Sequence, residues 1–386
     1  MKATEIKKGV YWVGGIDWDI REFHGYLTQK GTTYNAYLIV DEKVVLVDTV
    51  KHYLFEEMLE RIKDVIDPSK IDYIVSNHAE MDHSGSLLKI LKHCVNAEVI
   101  ASENGKKILE AHFGEIPKLK TVKAGDTLNI GQDSLHFVPT QMVHWPDSMV
   151  TYMPGKKLLL SNDAFGQHIA SKERFDDEVG WDTVLGEAAK YYANIVMPYG
   201  AQVSKALGAV GTLEIDMVAP SHGVIWRTHI KEILEEYTKW SNNDTQKKAV
   251  IVYDTMWEST KSIAESVRKA FTKKKIPVCM MDLGKNDISD IITHVLEAEY
   301  ICVGSPTLNN NLMPKVSAFL TYLKGLAPKK RKAMAFGSYG WGGQSISQVE
   351  EILKSCGFDM LSSVKAQYVP TKERLEEIRD TVESNL

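Results

Sequence analysis

The stretch IDYIVSNHAEMDHSG, residues 71–85, decides how this chain is read. Its first six residues, IDYIVS (71–76), are an apolar run of strand length. His78, Glu80, Asp82 and His83 follow at once, four ligand-type side chains within six positions. They are expected in a loop at the strand's downstream end. If the backbone stays extended there, the two-residue period projects positions 78, 80 and 82 to one side. Imidazole and carboxylate together suit zinc, iron or manganese. A lone His in a loop is usually solvated or hydrogen-bonded. Four such residues directly after a buried strand point instead to a metal.

Three further positions repeat the arrangement. His144 comes just after FVPTQMV (137–143), Asp163 ends KLLLSND (157–163), and His222 follows MVAPS (217–221). Singly, each reads as a capping Asp or a satisfied His. Together with 78–83 they give four His and three carboxylates, enough to close a two-metal site. Two metals ~3.5–4 Å apart typically share a bridging carboxylate or hydroxide. Asp48, in VVLVDTV (44–50), also ends an apolar run. It reads equally as a simple turn residue or as a group that orients a ligating His.

Outward from this centre, residues 1–240 carry alternating or apolar strand candidates. They are VYWVGG (10–15), TYNAYLIV (33–40), KVVLVDTV (43–50), AEVIAS (97–102), SLHFVPT (134–140), KKLLLSND (156–163) and IDMVAPS (215–221). A helix is expected over 52–66, with Leu54, Met58, Ile62 and Val65 on one face. This mixture predicts an α/β or α+β sandwich. HIKEILEEYTKW (229–240) reads as an amphipathic helix, and SNNDTQKK (241–248) as a polar linker. The expected domains are therefore 1–248 and 249–386. In the second, the buried-strand candidates are AVIVYD (249–254), IPVCMMDL (276–283), AEYICVGS (298–305), KAMAFGS (332–338) and SVKAQYV (363–369), separated by helical patterns. Repeated β–α steps predict a doubly wound parallel sheet that binds its ligand at the strands' carboxyl ends.

Composition limits the function classes. The 386 residues are 44% hydrophobic and 25% charged, as in globular proteins. Lys+Arg 46 against Asp+Glu 51 gives −5, which points to neither nucleic acid nor an anionic membrane as the main partner. No apolar run is long enough to span a bilayer, and the first residues show no apolar signal core. The four cysteines, Cys94, Cys279, Cys302 and Cys356, are far apart and form no C-x-x-C. A reducing cytoplasmic location is expected.

Three strand-end loops of the second domain carry candidate ligand groups. YDTMWESTKS (253–262) brings Thr255, Ser259 and Thr260 to a helix N-terminus, where free N–H groups favour a phosphate, with Met256 and Trp257 beside them. Capping alone would need one of the three hydroxyls. GSPTLNNN (304–311) supplies Pro306, Thr307, Asn309 and Asn310, and GSYGWGGQ (337–344) supplies Ser338, Tyr339, Gly340, Trp341, Gly342 and Gly343. Such loops suit close backbone approach, and Trp257, Tyr339 and Trp341 offer flat faces for an isoalloxazine ring.

The run His78-x-Glu80-x-Asp82-His83 with His144, Asp163 and His222 resembles the metallo-β-lactamase-fold metal site. Hydrolases of that superfamily usually carry His where this chain has Glu80. A carboxylate adds charge and a hard oxygen donor, which favours iron over a zinc hydroxide. In this the chain resembles the flavodiiron proteins. GTTYNAYLI (31–39), HWPDSM (144–149), NDAFGQHIA (162–170), YYANIVMPY (191–199), GSPT and GSYGWGG extend the resemblance over both domains. It implies a metallo-β-lactamase-like αββα sandwich followed by a flavodoxin-like sheet that binds FMN. It also implies that His78, Glu80 and His144 hold one iron, that Asp82, His83 and His222 hold the other, and that Asp163 bridges them. His83 is turned away from its iron in some members. His24, in REFHGY (21–26), and Tyr199 resemble substrate-pocket residues of the family.

The implied activity is four-electron reduction of dioxygen to water, reduction of nitric oxide to nitrous oxide, or both. Two ferrous ions and a reduced FMN store the four electrons. No rubredoxin-type C-x-x-C module is seen, so the expected electron source is external: rubredoxin, or a reduced deazaflavin coenzyme. Head-to-tail pairing into a homodimer, or a dimer of such dimers, is implied as the way flavin meets iron. The alternative is a dizinc hydrolase of the metallo-β-lactamase fold fused to a flavodoxin module, against which Glu80 argues.

Overall fold

The computed structural model describes residues 1–386. Its first sheet runs in the order β1 (Thr4–Lys7), β2 (Val10–Trp12), β3 (Tyr37–Val40), β4 (Val44–Val47), β5 (Tyr73–Ser76), β6 (Glu98–Ser102) and β7 (Leu119–Val122). β1 to β4 pair antiparallel, and β4 to β7 pair parallel. The second sheet contains β8 (Thr127–Asn129), β9 (Ser134–Pro139), β10 (Met149–Met153), β11 (Leu158–Asn162) and β12 (Met217–Pro220). It is antiparallel except between β11 and β12.

The strand period puts alternate residues of both sheets into one core. Tyr37, Ile39, Val45 and Val47 face Leu135, Phe137, Leu158 and Leu160 in it. Leu38 and Leu46, on the opposite face of the first sheet, are also fully buried. Helices supply the outer layers. They are α1 (Phe55–Val65), α2 (Glu103–Phe113), α3 (Trp181–Tyr191), α4 (Gly200–Val210) and α5 (Ile230–Ser241). α1 buries Phe55, Met58, Leu59, Arg61 and Ile62; of the expected stripe, Met58 and Ile62 are buried in it, Leu54 is buried just before it and Val65 is half-buried. This is the expected αββα sandwich.

The third sheet contains β13 (Gln246–Tyr253), β14 (Val278–Asp282), β15 (Ala298–Gly304), β16 (Lys332–Tyr339), β17 (Asp359–Met360) and β18 (Val364–Gln367). All its pairings are parallel, in the order β14-β13-β15-β16-β17, with β18 also on β16. The helices are α6 (Ser259–Lys273), α7 (Ile288–Val295), α8 (Pro314–Leu326), α9 (Gln344–Ser355) and α10 (Lys372–Ser384). This is the doubly wound flavodoxin order.

Several local expectations change. TYNAYLIV does not run as one strand. Thr32–Tyr34 pairs with Gly15–Asp17, and a separate strand begins at Tyr37. β13 starts at Gln246, inside the segment read as linker. By compactness the chain divides into Met1–Tyr191 with Ala201–Thr238, and Tyr192–Gly200 with Lys239–Leu386. The division thus falls ten residues before position 248, and a short segment of the first sequence half groups with the second unit.

Candidate metal centre and flavin pocket

The metal candidates sit where the strands end. β5 delivers His78 and Glu80, the turn after β9 delivers His144, β11 leads into Asp163, and β12 into His222. The chain does not stay extended after Glu80. A helical turn over Met81–Ser84 begins there, with the His83 N–H on the Glu80 carbonyl at 3.0 Å. This corrects the expected grouping of 78, 80 and 82. Ligand atoms of His78, Glu80, His144 and Asp163 lie within 4.8 Å of one another, and those of Asp82, His83 and His222 form a second set.

Asp163 faces both sets. Its Oδ2 lies 3.6 Å from His78 Nε2 and 3.2 Å from His144 Nε2, and its Oδ1 lies 3.0 Å from His83 Nε2 and 3.3 Å from His222 Nε2. Glu80 Oε2 closes the first set, 3.2 Å from His78 and 3.4 Å from His144. Asp82 closes the second, 3.4 Å from His83 and 3.2 Å from His222. His83 is buried and turned inward.

These short contacts leave orphans. Both carboxylate oxygens of Asp82 and of Asp163, and both ring nitrogens of His83, are buried without a hydrogen-bond partner. Buried polar atoms in native proteins are almost always satisfied, and cations at the two clusters would satisfy those that converge there. The donors are imidazole and carboxylate with no thiolate, a set that fits iron. Protons stand in for the cations electrostatically. Burial alone pulls His144 and His222 down, but the carboxylates of Asp163 and Glu80 raise the first to about 9, and those of Asp163 and Asp82 raise the second to about 10. Burial would raise the Asp163 carboxyl, and the surrounding imidazoles, His83 foremost, hold it well below the usual range instead.

A stability prediction follows for the metal-free chain. It binds the protons on His144 and His222 more tightly than the unfolded chain, whose histidines titrate near 6.5. That stabilisation is complete below about pH 6.5 and is lost as pH rises through about 9 and about 10. The Tm of chelated protein should fall across this window, whereas metal-loaded protein, with its imidazoles already neutral, should lack this term. An equal pH dependence of both forms contradicts the cluster electrostatics.

The ring orientations are fixed from outside. Asp147 Oδ2 holds His78 Nδ1 at 3.0 Å and accepts the Ala79 N–H at 2.7 Å, which leaves His78 Nε2 facing the cluster. The Thr33 carbonyl does the same for His222 Nδ1 at 2.9 Å. Asp48 does not reach a His ring through a hydrogen bond. It accepts the Asn77 N–H at 2.7 Å and so anchors the loop's first residue. Asp147→Ala should lower affinity at the His78 position about 10–100-fold, the usual cost of losing such a partner. Competition with a chelator measures this. Unchanged affinity would mean that packing alone orients His78.

His24 reaches the site. Its Nε2 lies 2.6 Å from Glu80 Oε1, on a tight turn with φ +50° at His24 and +81° at Gly25. Tyr199 lies in the short helix Met197–Tyr199, within the segment that groups with the second unit. Two tyrosines pack against the cluster: Tyr34, its ring 5.6 Å from that of His222, and Tyr191, its ring 5.8 Å from that of His222 and 5.0 Å from that of His168. His168, buried and bonded through Nδ1 to Thr32 Oγ1 at 2.7 Å, packs 4.8 Å from His222. Asp147, His168 and Tyr191 all fall inside motifs quoted from the sequence, but no spacing singles them out.

In the second unit a cavity of about 570 Å³ opens at the carboxyl edge of the sheet, within the usual range for ligand sites. Met256, Trp257 and Ser259 line it from the first loop. Pro306, Thr307, Asn309 and Asn310 come from the loop after β15, and Ser338, Tyr339, Gly340, Trp341 and Gly342 from β16 and the loop after it. Asn309 and Asn310 hold left-handed backbone, φ +51° and +61°. Thr255, Thr260 and Gly343 are not on the wall. Thr260 is buried with its hydroxyl 2.8 Å from that of Ser338, and Gly343 starts α9 at φ +88°. Tyr368 and Val369, beyond β18, also line the cavity, and no sequence motif marks them. Trp257 and Trp341 are 87% and 89% exposed, so they flank an open mouth. Thr255 Oγ1 is buried without a partner, an orphan at a loop read as a phosphate cradle. The size, aromatic lining and hydroxyl-bearing loops fit FMN.

Comparison with known proteins agrees with both halves. Residues 32–223 match the family described as ODP family beta lactamase, and residues 251–381 match flavodoxin. A nitric oxide reductase of Moorella thermoacetica is 44% identical over 97% of this chain and 96% of its own length. The structure of rubredoxin oxygen:oxidoreductase from Desulfovibrio gigas superposes with a TM-score of 0.97 at 40% identity, over 100% of this chain and 98% of the other. The flavodiiron protein from Giardia intestinalis gives 0.96 at 35%, over 100% and 96%. The chain belongs to the flavodiiron proteins. It is an oxidoreductase whose cofactors are FMN and a non-haem diiron centre.

Proposed function

We propose that this protein removes dioxygen, nitric oxide or both, reducing the first to water and the second to nitrous oxide. The observation that carries the reading is the division of Asp163, one oxygen toward His78 and His144 and the other toward His83 and His222. Such a carboxylate is placed to bridge two cations. In this reading His78, Glu80 and His144 hold one iron, and Asp82, His83 and His222 hold the other. Two irons and FMN together store the four electrons that dioxygen needs, and half that number couples two nitric oxide molecules. Glu80 keeps a hard donor in the first set, and His24, hydrogen-bonded to its outer oxygen, is placed to hold or pass a proton at the mouth. Tyr191 replaces Tyr199 as the tyrosine of the pocket in this reading.

The loops that line the second unit's cavity hold FMN, with Ser259 at the N-terminus of α6 toward the phosphate. Electrons come from rubredoxin, or from a reduced deazaflavin coenzyme, in the cytoplasm. No helix is long and apolar enough to cross a membrane. Two chains pair head to tail, singly or as a dimer of dimers, so that one FMN serves the partner's irons. Mixing a metal-dead chain (His78→Ala with Asp82→Ala) with a flavin-dead chain (altered at Ser259 and Trp341) tests this. Activity should partly return on subunit exchange, and its absence after proven exchange would refute the pairing. Steady-state rates with each gas and an artificial reductant test the activity itself. Turnover of neither gas would overturn it.

A further inference from the structure

Two cluster residues, His144 and Asp163, have neighbours that line a second cavity. Val143 precedes His144, and Ala164 and Phe165 follow Asp163, and all three contribute to its wall. The cavity lies between β10 and β11, through Val150 and Leu159, and α4. α4 presents Val203, Ala206, Leu207 and Val210 to it, a stripe at i, i+3, i+4 and i+7. The space is about 20 Å³, room for one small molecule. Protein interiors hold few voids of this size.

Its chemistry is apolar. Only Thr140 and Tyr237 bring hydroxyls to the wall, and the Tyr237 oxygen already accepts the Phe165 N–H at 2.8 Å. A buried water needs two to four polar partners, whereas cavities lined by aliphatic and aromatic groups stay dry and take up xenon. We propose that this cavity is a binding site for small apolar gases, in which dioxygen or nitric oxide is held one residue away from the ligands His144 and Asp163. The binding rests on the cavity alone. Its use in turnover rests on the activity proposed above. Both gases are neutral and weakly hydrated, so an apolar site raises their local concentration beside the metals and lowers KM without touching kcat.

The test uses crystals of the holoprotein pressurised with xenon. A xenon atom between Leu159 and Ala206 is expected, and Ala206→Leu or Val203→Leu should displace it. An empty cavity under xenon, or an ordered water there, overturns the site. In solution, both variants should raise KM for the reduced gas severalfold, with kcat and iron and FMN content unchanged. Xenon should raise KM competitively in the unaltered protein, a measurement that needs no variant to fold. Bound xenon with KM unmoved in all three experiments overturns the role in turnover. If neither gas is reduced at all, the activity reading fails, and the xenon position still decides whether the site binds gas.

Discussion

Asp163→Asn is expected to strip both metal positions together. Its two oxygens lie 3.0–3.6 Å from four different imidazoles, two in each set, so no other single side chain serves both. An amide keeps the shape but removes the charge and one acceptor oxygen. Losing a mere supporting group costs about 10–100-fold in metal affinity, so loss of a shared ligand should exceed about 100-fold at both positions. The variant should retain its fold and its FMN, because the flavin cavity is built from the other unit. Metal analysis with flavin content as the internal standard reads the result. One iron retained at full occupancy would make Asp163 a terminal ligand.

The second large effect is expected at Glu80. Its Oε2 lies 3.2 Å from His78 and 3.4 Å from His144, and its Oε1 takes the His24 contact. Glu80→His replaces a hard anionic donor with a neutral imidazole, and the first set then resembles the zinc hydrolases. Zinc should displace iron there when both are supplied, because a nitrogen-rich set ranks zinc above ferrous iron. Reductase activity should fall by at least about 100-fold, since zinc carries no redox chemistry. Two irons and full turnover in the variant would remove Glu80 from the ligand set.

The candidate ligands are legible because each follows an apolar run. His144, Asp163 and His222 are separated by tens of residues, and the common rule of strand, then ligand, unites them. The turn at Met81–Ser84 was not legible. It is held by long-range contacts, among them the Thr49 N–H on the His83 carbonyl at 2.9 Å, and no local signal announces it. The same reason hides Asp147, whose partner His78 is 69 positions away. Of the three tyrosines of YYANIVMPY, only Tyr191 ends α3 against His222, and the segment from Tyr192 on groups with the second unit. Strand β7, LKTV, was missed because it is only half-buried and carries no clean alternation. Gln246–Lys248 looked like linker because their side chains are largely exposed, yet their backbone extends β13. The flavin loops read well because Gly, Asn and Trp mark them, whereas Tyr368 and Val369 follow a strand whose loop carries no such mark.

An anaerobic reductive titration of the purified holoprotein, followed by flavin absorbance and counted per chain, distinguishes a redox-active metal centre from an inert one. Two irons and one FMN predict uptake of four electrons, two by the flavin and one by each metal. Uptake of only two, all of it by the flavin, would mean that the cluster of His78, Glu80, Asp82, His83, His144, Asp163 and His222 holds a metal that does not change oxidation state, and the account of this chain as a reductase would be wrong.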